Sequence, residues 1–314
     1  MTALARRPGR SRGAAPAGRR RSRGGPRSGE SRWAWVFLAP TLIGLAVLSA
    51  GPILAALGIS VTKWDMLTPP RFVGLDNYAN LLGDDRFQKA LRNTVFYTVV
   101  SVPIGLTLAL GLALALNQAI RGIAWIRTAY FLPLVTSATA IALVWLWIYS
   151  PTGLLNSALG IFGIPPQRWV GDPTLAMPSI IAMSIWQALP ANVIIFLAGL
   201  QAIPAEYYDA ASVDGAGRRS RLRWITLPLL TPSLFFTGIL ALIGAFQVFD
   251  QVYVMANPGK PGESTITLVY FIYEAGFRNF KMGYASAASW IMFLIVAVAT
   301  IIYFRTQDRW VHYQ

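Results

Sequence analysis

No cysteine occurs among the 314 residues, and the lone histidine is His312, beside the carboxyl end. Disulfide frameworks, thiolate metal sites and cysteine nucleophiles are thereby excluded. A multi-histidine metal site is excluded too, and a Ser–His triad would rest on that one terminal imidazole. Charge is also scarce: 13% of the residues are charged, against about 25% in soluble domains. Acids are scarcer than bases, 13 against 27, for a formal net charge of +14. No G-x-x-x-x-G-K-[ST] segment occurs, and the one Gly-Lys pair, Gly259-Lys260, runs into Pro261. The chain therefore carries no phosphate cradle of that kind. These absences predict no cofactor, no metal and no enzyme activity in this chain.

What fills the chain instead is apolar: 55% of residues are hydrophobic. They fall into six runs long enough to cross a bilayer, at about 34–61, 94–116, 129–149, 174–198, 229–249 and 284–304. The fold class predicted is an all-α polytopic membrane protein with six transmembrane helices and short cytoplasmic helices between some of them. Prolines interrupt several runs (Pro40, Pro52, Pro103, Pro133, Pro178, Pro190). Membrane helices accommodate them where neighbouring groups satisfy the freed carbonyls. Residues 1–32 hold ten arginines and a single acid, Glu30, in a Gly/Pro/Ser/Ala-rich context. That reads as a disordered cytoplasmic tail attracted by anionic lipid headgroups, with no nucleic-acid partner. The domain expectation is a tail at 1–32, a membrane domain at 33–305 with a loop at 200–228, and a cytoplasmic tail at 306–314. The first run is too long for a signal-peptide core and reads as a retained anchor.

Orientation follows from where the cations lie. With the amino terminus inside, segments 1–32, 117–128, 199–228 and 305–314 hold 18 Lys/Arg and five acids, leaving nine Lys/Arg and eight acids elsewhere. That asymmetry places both termini in the cytoplasm and segments 63–93, 150–173 and 250–283 outside. The first of these carries Pro-Pro and Gly breaks and then a short amphipathic helix predicted over Arg86–Arg92. Trp145, Trp147 and Tyr149 read as an interfacial aromatic belt.

One cytoplasmic loop carries a motif. From Ile203 to Pro232 it reads IPAEYYDAASVDGAGRRSRLRWITLPLLTP. Pro204 suits the start of a helix and Glu206 its positive end. That helix should run to about Val213 and stop at Asp214-Gly215, where glycine can turn left-handed. A second amphipathic stretch, Arg218 to Thr226, precedes Pro228. The exposed small residues Ala210, Ala211, Ser212, Gly215, Ala216 and Gly217 suit insertion into a partner's cleft. A plain basic loop obeying the inside-positive rule is the alternative.

Here the sequence resembles the integral-membrane permease subunits of binding-protein-dependent ABC importers. Their signature is E-A-A, two residues, D-G-A, a basic stretch, I-x-L-P and a further proline. Asp209-Ala210-Ala211, Asp214-Gly215-Ala216, Ile225-Thr226-Leu227-Pro228 and Pro232 match it in order and spacing. Asp209 stands where the signature has glutamate, and Leu222, with Trp224 nearby, replaces the usual aromatic. The resemblance covers about residues 32–305. Phe72-Val73-Gly74-Leu75-Asp76-Asn77-Tyr78, Phe87, Ala90-Leu91-Arg92-Asn93-Thr94, Leu132-Pro133, Trp147, Gly153 and Gly283-Tyr284-Ala285-Ser286-Ala287 are similar to the carbohydrate-uptake branch, glycerol-phosphate relatives included. The resemblance implies a second homologous permease, two cytoplasmic ATPase subunits, an extracellular solute-binding protein and a sugar or polyol cargo. It implies that Glu206, Asp209, Ala210, Ala211, Asp214, Gly215, Ala216 and Gly217 couple to the ATPase.

Sugars offer apolar ring faces and hydroxyl edges, so aromatics beside amides or carboxylates are the residues to seek. Trp186, Gln187 and Asn192 in the fourth span and Phe246, Gln247, Phe249 and Asp250 in the fifth fit. Gln247 and Asp250, three apart, should share a helix face. Amides that merely tie helices together, and aromatics that merely pack, are the alternative for each. Two rival functions stay open from the residues alone: a stand-alone six-helix secondary carrier or channel, and a membrane scaffold. A secondary carrier would want intramembrane charges, and Asp250 is the chief one near a span.

Overall fold

A computed structural model describes residues 28–118, 125, 128, 130–255 and 263–311. Residues 1–27 of the tail expected at 1–32, the Gly/Pro turn at 256–262 and His312 lie outside the described residues, while Ser28–Arg32 of that tail already belong to a helix. Two compact units divide the chain, Met1–Ile53 and Leu54–Gln314.

Helix dominates. In the first unit α1 (Ser28–Leu45) runs into a π-helical turn, Ala46–Ala50; α2 (Gly51–Ser60) follows and belongs mostly to the second unit. The wide turn stands just ahead of Pro52, which has no N–H to offer the preceding turn. The same arrangement recurs in the second unit: a π turn at Leu222–Thr226 lies just ahead of Pro228, and the Leu227 N–H reaches back to the Leu222 carbonyl.

Five helical stretches among the described residues are long and apolar enough to cross a membrane: Trp35–Ser60, Asp85–Leu116, Ala176–Gln201, Arg218–Met255 and Met282–Arg309. The third expected span, 129–149, is in its described part a 3₁₀ turn, Leu132–Val135, and a helix, Ala138–Ile148, of 11 residues. At 1.5 Å per residue that helix covers about 17 Å of an apolar layer about 30 Å thick. The break lies at Pro133, which has no N–H to offer the preceding turn, and the Thr136 N–H closes a turn on the Pro133 carbonyl.

After α2 come a short antiparallel pair, β1 (Thr62–Lys63) and β2 (Arg71–Phe72), then α3 (Asp76–Leu82) and α4 (Asp85–Leu116). The separate amphipathic helix expected at Arg86–Arg92 does not exist: those residues are the first turns of α4. Asp84 starts α4 by accepting from the N–H groups of Arg86 (2.8 Å) and Phe87 (3.2 Å). The helix does not end at Arg92; it runs from Asp85 to Leu116, 32 residues in all, with Pro103 inside it. Next are α5 (Ala138–Ile148), α6 (Leu154–Gly160), α7 (Ala176–Gln201), α8 (Ala205–Val213) and α9 (Arg218–Arg221). The chain ends with α10 (Leu227–Phe246), α11 (Asp250–Met255), α12 (Leu268–Tyr273) and α13 (Met282–Thr306).

The core of the second unit lies where α4, α7 and α10 pack. Small residues allow close approach there. A Cβ at Gly199 would collide with Ser233 and Leu230 on α10, and one at Gly238 with the Tyr303 hydroxyl on α13.

The segment between α2 and α4 is pinned by polar side chains. Asn77 Nδ2 donates to the carbonyls of Ser60 and Thr62, both at 2.8 Å, and the Tyr78 hydroxyl donates to Ser60 Oγ at 2.7 Å. The start of α13 closes over them: the Met282 N–H donates to the Trp64 carbonyl at 2.9 Å. The Tyr284 hydroxyl donates to Asp84 Oδ2 at 2.6 Å. Gly283 sits so near the Thr62 carbonyl that no side chain fits between them. Asn77 and Gly283 therefore hold the fold together, which gives two residues of the sequence pattern a structural reason.

The expected aromatic belt is corrected. Only Trp147, 63% exposed, faces outward like a belt residue. Tyr149 is 4% exposed and its hydroxyl donates to the Ser179 carbonyl at 3.0 Å. Trp145 packs against Tyr149 and Trp186, with ring centroids 5.3 and 5.6 Å away. Helix α5 approaches α7 closely enough to pack these rings inward.

Candidate functional site

Two features of the second unit concentrate polar chemistry. The first is a cavity of about 600 Å³ between α4, α7 and α10. Its apolar wall includes Val102, Ile185, Ile195 and Leu240, and its polar groups are Gln187, Asn192, Gln247, Asp250 and Gln251, with Ser101 and Ser184. Phe249 and Tyr97 are its aromatic residues. Proline shapes the α7 wall: Pro190 lacks the N–H that would reach the Trp186 carbonyl, so the ladder is interrupted between Gln187 and Asn192.

The α10 side is built differently from expectation. Gln247 and Asp250 do not share a helix face, because α10 ends at Phe246 and α11 starts at Asp250. The corner between them forms where Thr267 Oγ1 donates to the Val248 carbonyl at 3.2 Å. The next residue fixes that strand of chain to α4, since the Leu268 N–H donates to Thr94 Oγ1 at 2.9 Å. Asn93 Nδ2 adds a bond to the Ile266 carbonyl at 2.9 Å. Arg86 completes the clasp with ion pairs to Glu263, at 2.8 Å, and to Glu274. The corner turns Gln247, Phe249, Asp250 and Gln251 together into the cavity, which one helix face could not do.

Of the six pathway candidates, Gln187, Asn192, Gln247 and Asp250 line the cavity. Trp186 and Phe246 do not. Trp186 lies edge-on to Trp145, and Phe246 is 5% exposed, packed behind the wall. Sequence reasoning missed Gln251, whose Nε2 donates to Gln187 Oε1 at 3.0 Å and bridges the two sides. The signal was present as a third polar residue four places after Gln247, but the apparent helix pattern stopped at Asp250.

The second feature is the loop at 203–228. Helix α8 ends as expected after Val213, and Gly215 takes φ +74°. The Gly215 N–H donates to the Ser212 carbonyl at 3.1 Å and the Ala216 N–H to the Ala211 carbonyl at 2.8 Å. These two bonds are the Schellman closure of a helix end. Arg221 Nε donates to the Ala216 carbonyl at 2.8 Å, and the Tyr208 and Thr226 hydroxyls lie 3.0 Å apart, so α8 is tied to the next helix. Glu206, Asp209, Ala210, Asp214, Gly215 and Gly217 are exposed, Ala216 is half-buried, and Ala211 is buried against the turn. The result is a compact knob with acids along one helix and arginines on the next.

Outside the apolar stretches, the Asp84 carboxyl is shifted. Burial pushes it up, but hydrogen bonds from Tyr284, Phe87 and Arg86, with the Arg86 charge, outweigh burial and hold it below its ordinary value. It borders a second cavity, of about 790 Å³, among Lys63, Trp64, Arg71, Asp76, Lys281 and Tyr284.

Residues 101–312 match the family described as binding-protein-dependent transport system inner membrane component. Among similar proteins, the probable ABC transporter permease protein YesP of Bacillus subtilis is 38% identical over 284 residues, 89% of this chain and 92% of that one. The lactose transport system permease protein LacF of Rhizobium radiobacter is 38% identical over 277 residues, 86% of this chain and 92% of the relative. A solved structure with the same fold, at TM-score 0.80 and 22% identity, covers 90% of this chain and 96% of its own. It belongs to a bacterial alginate ABC transporter in complex with a periplasmic protein holding an alginate pentasaccharide.

Proposed function

Because this chain belongs to the family of inner membrane components of binding-protein-dependent transport systems, we propose that it is the permease subunit of an ATP-driven importer and that its cargo is a sugar or related polyol. The observation that carries the cargo reading is the cavity, where three glutamines, an asparagine and a carboxylate face an aromatic ring. Amides both donate and accept, which suits hydroxyls that do both, and Phe249 offers a face for a sugar's C–H surface. A likeness in sequence to a lactose permease supports the same class.

In this reading the cavity is half of a pathway completed by a second homologous permease. An extracellular solute-binding protein delivers the cargo, and two cytoplasmic ATPase subunits drive alternating access. The knob at Ala205–Gly217 seats in a cleft of one ATPase. No bond of the cargo is made or broken in this chain. Both termini lie in the cytoplasm, with the segments between α2 and α4, around α6, and between α10 and α13 outside.

The test is uptake by the complete importer in proteoliposomes. Gln187→Ala and Gln251→Ala each remove a hydrogen-bonding group worth about 0.5–1.5 kcal/mol, so half-saturation should rise by about 2- to 12-fold while assembly is retained. Wild-type uptake by both variants across a panel of sugars would show that the cargo passes elsewhere.

A further inference from the structure

The cavity is rich in amides but its charges are unbalanced. Among the residues lining it, Asp250 is the only carboxylate and there is no lysine, arginine or histidine. Asp250 is solvent-exposed into that space, and among the described residues no hydrogen bond or ion pair engages its carboxylate. Two nearby basic residues are committed elsewhere: Arg86 is held by Glu263 and Glu274, and Arg278 Nη1 donates to the Tyr270 hydroxyl at 3.3 Å. A carboxylate without a counter-charge among the described residues, where cargo would sit, has a direct consequence for cargo charge.

We infer that Asp250 is a charge selector: the cargo accepted by this cavity bears no net negative charge, and acidic sugars and phosphorylated polyols are refused here. The inference rests on the reading of the cavity as the cargo site, and it sharpens that reading. The carbohydrate branch that the sequence resembles includes carriers of both neutral and anionic compounds, so membership does not settle the question. The physical argument is Coulombic. Two like charges about 6 Å apart, at an effective dielectric constant of about 20, oppose each other strongly enough to weaken binding by about 100-fold. A neutral sugar pays nothing of this kind, and its hydroxyls can donate to the same carboxylate. Gln187 and Gln251 bond to each other and so share their remaining capacity with hydroxyls of either polarity. They discriminate by shape, and the charge discrimination falls to Asp250.

The experiment is equilibrium binding to the purified permease–ATPase complex in lipid nanodiscs, without the binding protein, so that the membrane cavity alone is read. The probes are a neutral disaccharide, its uronic-acid analogue and its amino-sugar analogue. The complex should bind the uronic acid about 100-fold more weakly than the neutral sugar and the amino sugar at least as well as the neutral one. Asp250→Asn should bring the neutral and uronic forms to within about 3-fold of each other, whereas Asp250→Glu should keep them apart. Salt gives a second measurement that needs no variant: at about 1 M the screening length falls to about 3 Å, and the wild-type gap should narrow. Equal binding of the neutral and acidic forms by the wild type, or a gap that neither Asp250→Asn nor salt alters, overturns the charge selector. Absence of binding by all three probes, with Gln187→Ala also silent in transport, overturns instead the cargo cavity on which it rests.

Discussion

Gly215 offers the cleanest perturbation of the knob, because conformation and crowding separate there. Its φ is +74°, and a Cβ placed on it would meet no atom within 4 Å. A substitution therefore costs only what the left-handed backbone costs. For alanine that is about 1–2 kcal/mol, and a β-branched side chain reaches the upper part of a range of about 1–3 kcal/mol. Asparagine, which tolerates this conformation, costs least. The two closing bonds, from Gly215 to Ser212 and from Ala216 to Ala211, would open to relieve the strain, and Ala216 would release Arg221. If the closed knob is what the ATPase grips, its affinity should fall by about 5- to 30-fold for Gly215→Ala and more for Gly215→Val, with Gly215→Asn near the wild type. Titration of the purified ATPase against the membrane subunits reads that order, and cargo-stimulated ATP hydrolysis should follow it. Gly111→Ala, on an exposed helical face with open space around it, controls for substitution as such. Full assembly and coupled hydrolysis by Gly215→Val would refute the assignment of this turn as the mechanical link.

Other outcomes follow from features of the same fold. Gly283→Ala should lower thermal stability of the purified subunit markedly, since its Cβ falls on the Thr62 carbonyl and only a shift of α13 can make room. With no native cysteine, single cysteines at Leu67, Ile161 and Val213, all highly exposed, can be probed with an impermeant thiol reagent on intact cells; labelling at Leu67 and Ile161 but not Val213 is expected, and the reverse pattern would invert the topology. Asp84, whose pKa is depressed in the folded chain, contributes stability that is present above its unfolded value of about 3.9 and is lost as pH falls through the lower folded value. Unfolding midpoints should thus be steady above about pH 5 and drop below about pH 4, and Asp84→Asn should flatten that drop.

The knob was legible because everything that makes it is local. Pro204, Glu206, the small residues and Asp214-Gly215 lie within one short stretch, and capping chemistry acts over a few residues. The apolar runs were legible for the same reason. The corner at Gln247–Asp250 was not, because it depends on Thr267 capturing the Val248 carbonyl, 19 residues away. Periodicity therefore read an unbroken helix and omitted Gln251. Trp145 and Tyr149 misled because aromatics near a span end look alike whether they face headgroups or a neighbouring helix; only the approach of Ser179 and Trp186 decides. The predicted helix at Arg86–Arg92 erred in taking a change in polarity for a helix boundary. The backbone hydrogen bonds of α4 pass through that change without a break.

The length of α4 makes it a lever. Its 32 residues extend for about 48 Å, well beyond an apolar layer about 30 Å thick. Its amino-terminal arm is bolted, through Arg86, Asn93 and Thr94, to the chain that also sets the corner at Val248. A tilt of about 10° pivoting at Leu116 would carry the far end sideways by roughly 8 Å, and the bolted chain would travel with much of that stroke. The corner bearing Gln247, Asp250 and Gln251 would be dragged along, opening or pinching the cavity without any helix having to unfold. The amino-terminal end of α4 and the corner that carries the polar side chains are thus joined by a handful of hydrogen bonds and an ion pair, so that neither can shift far alone.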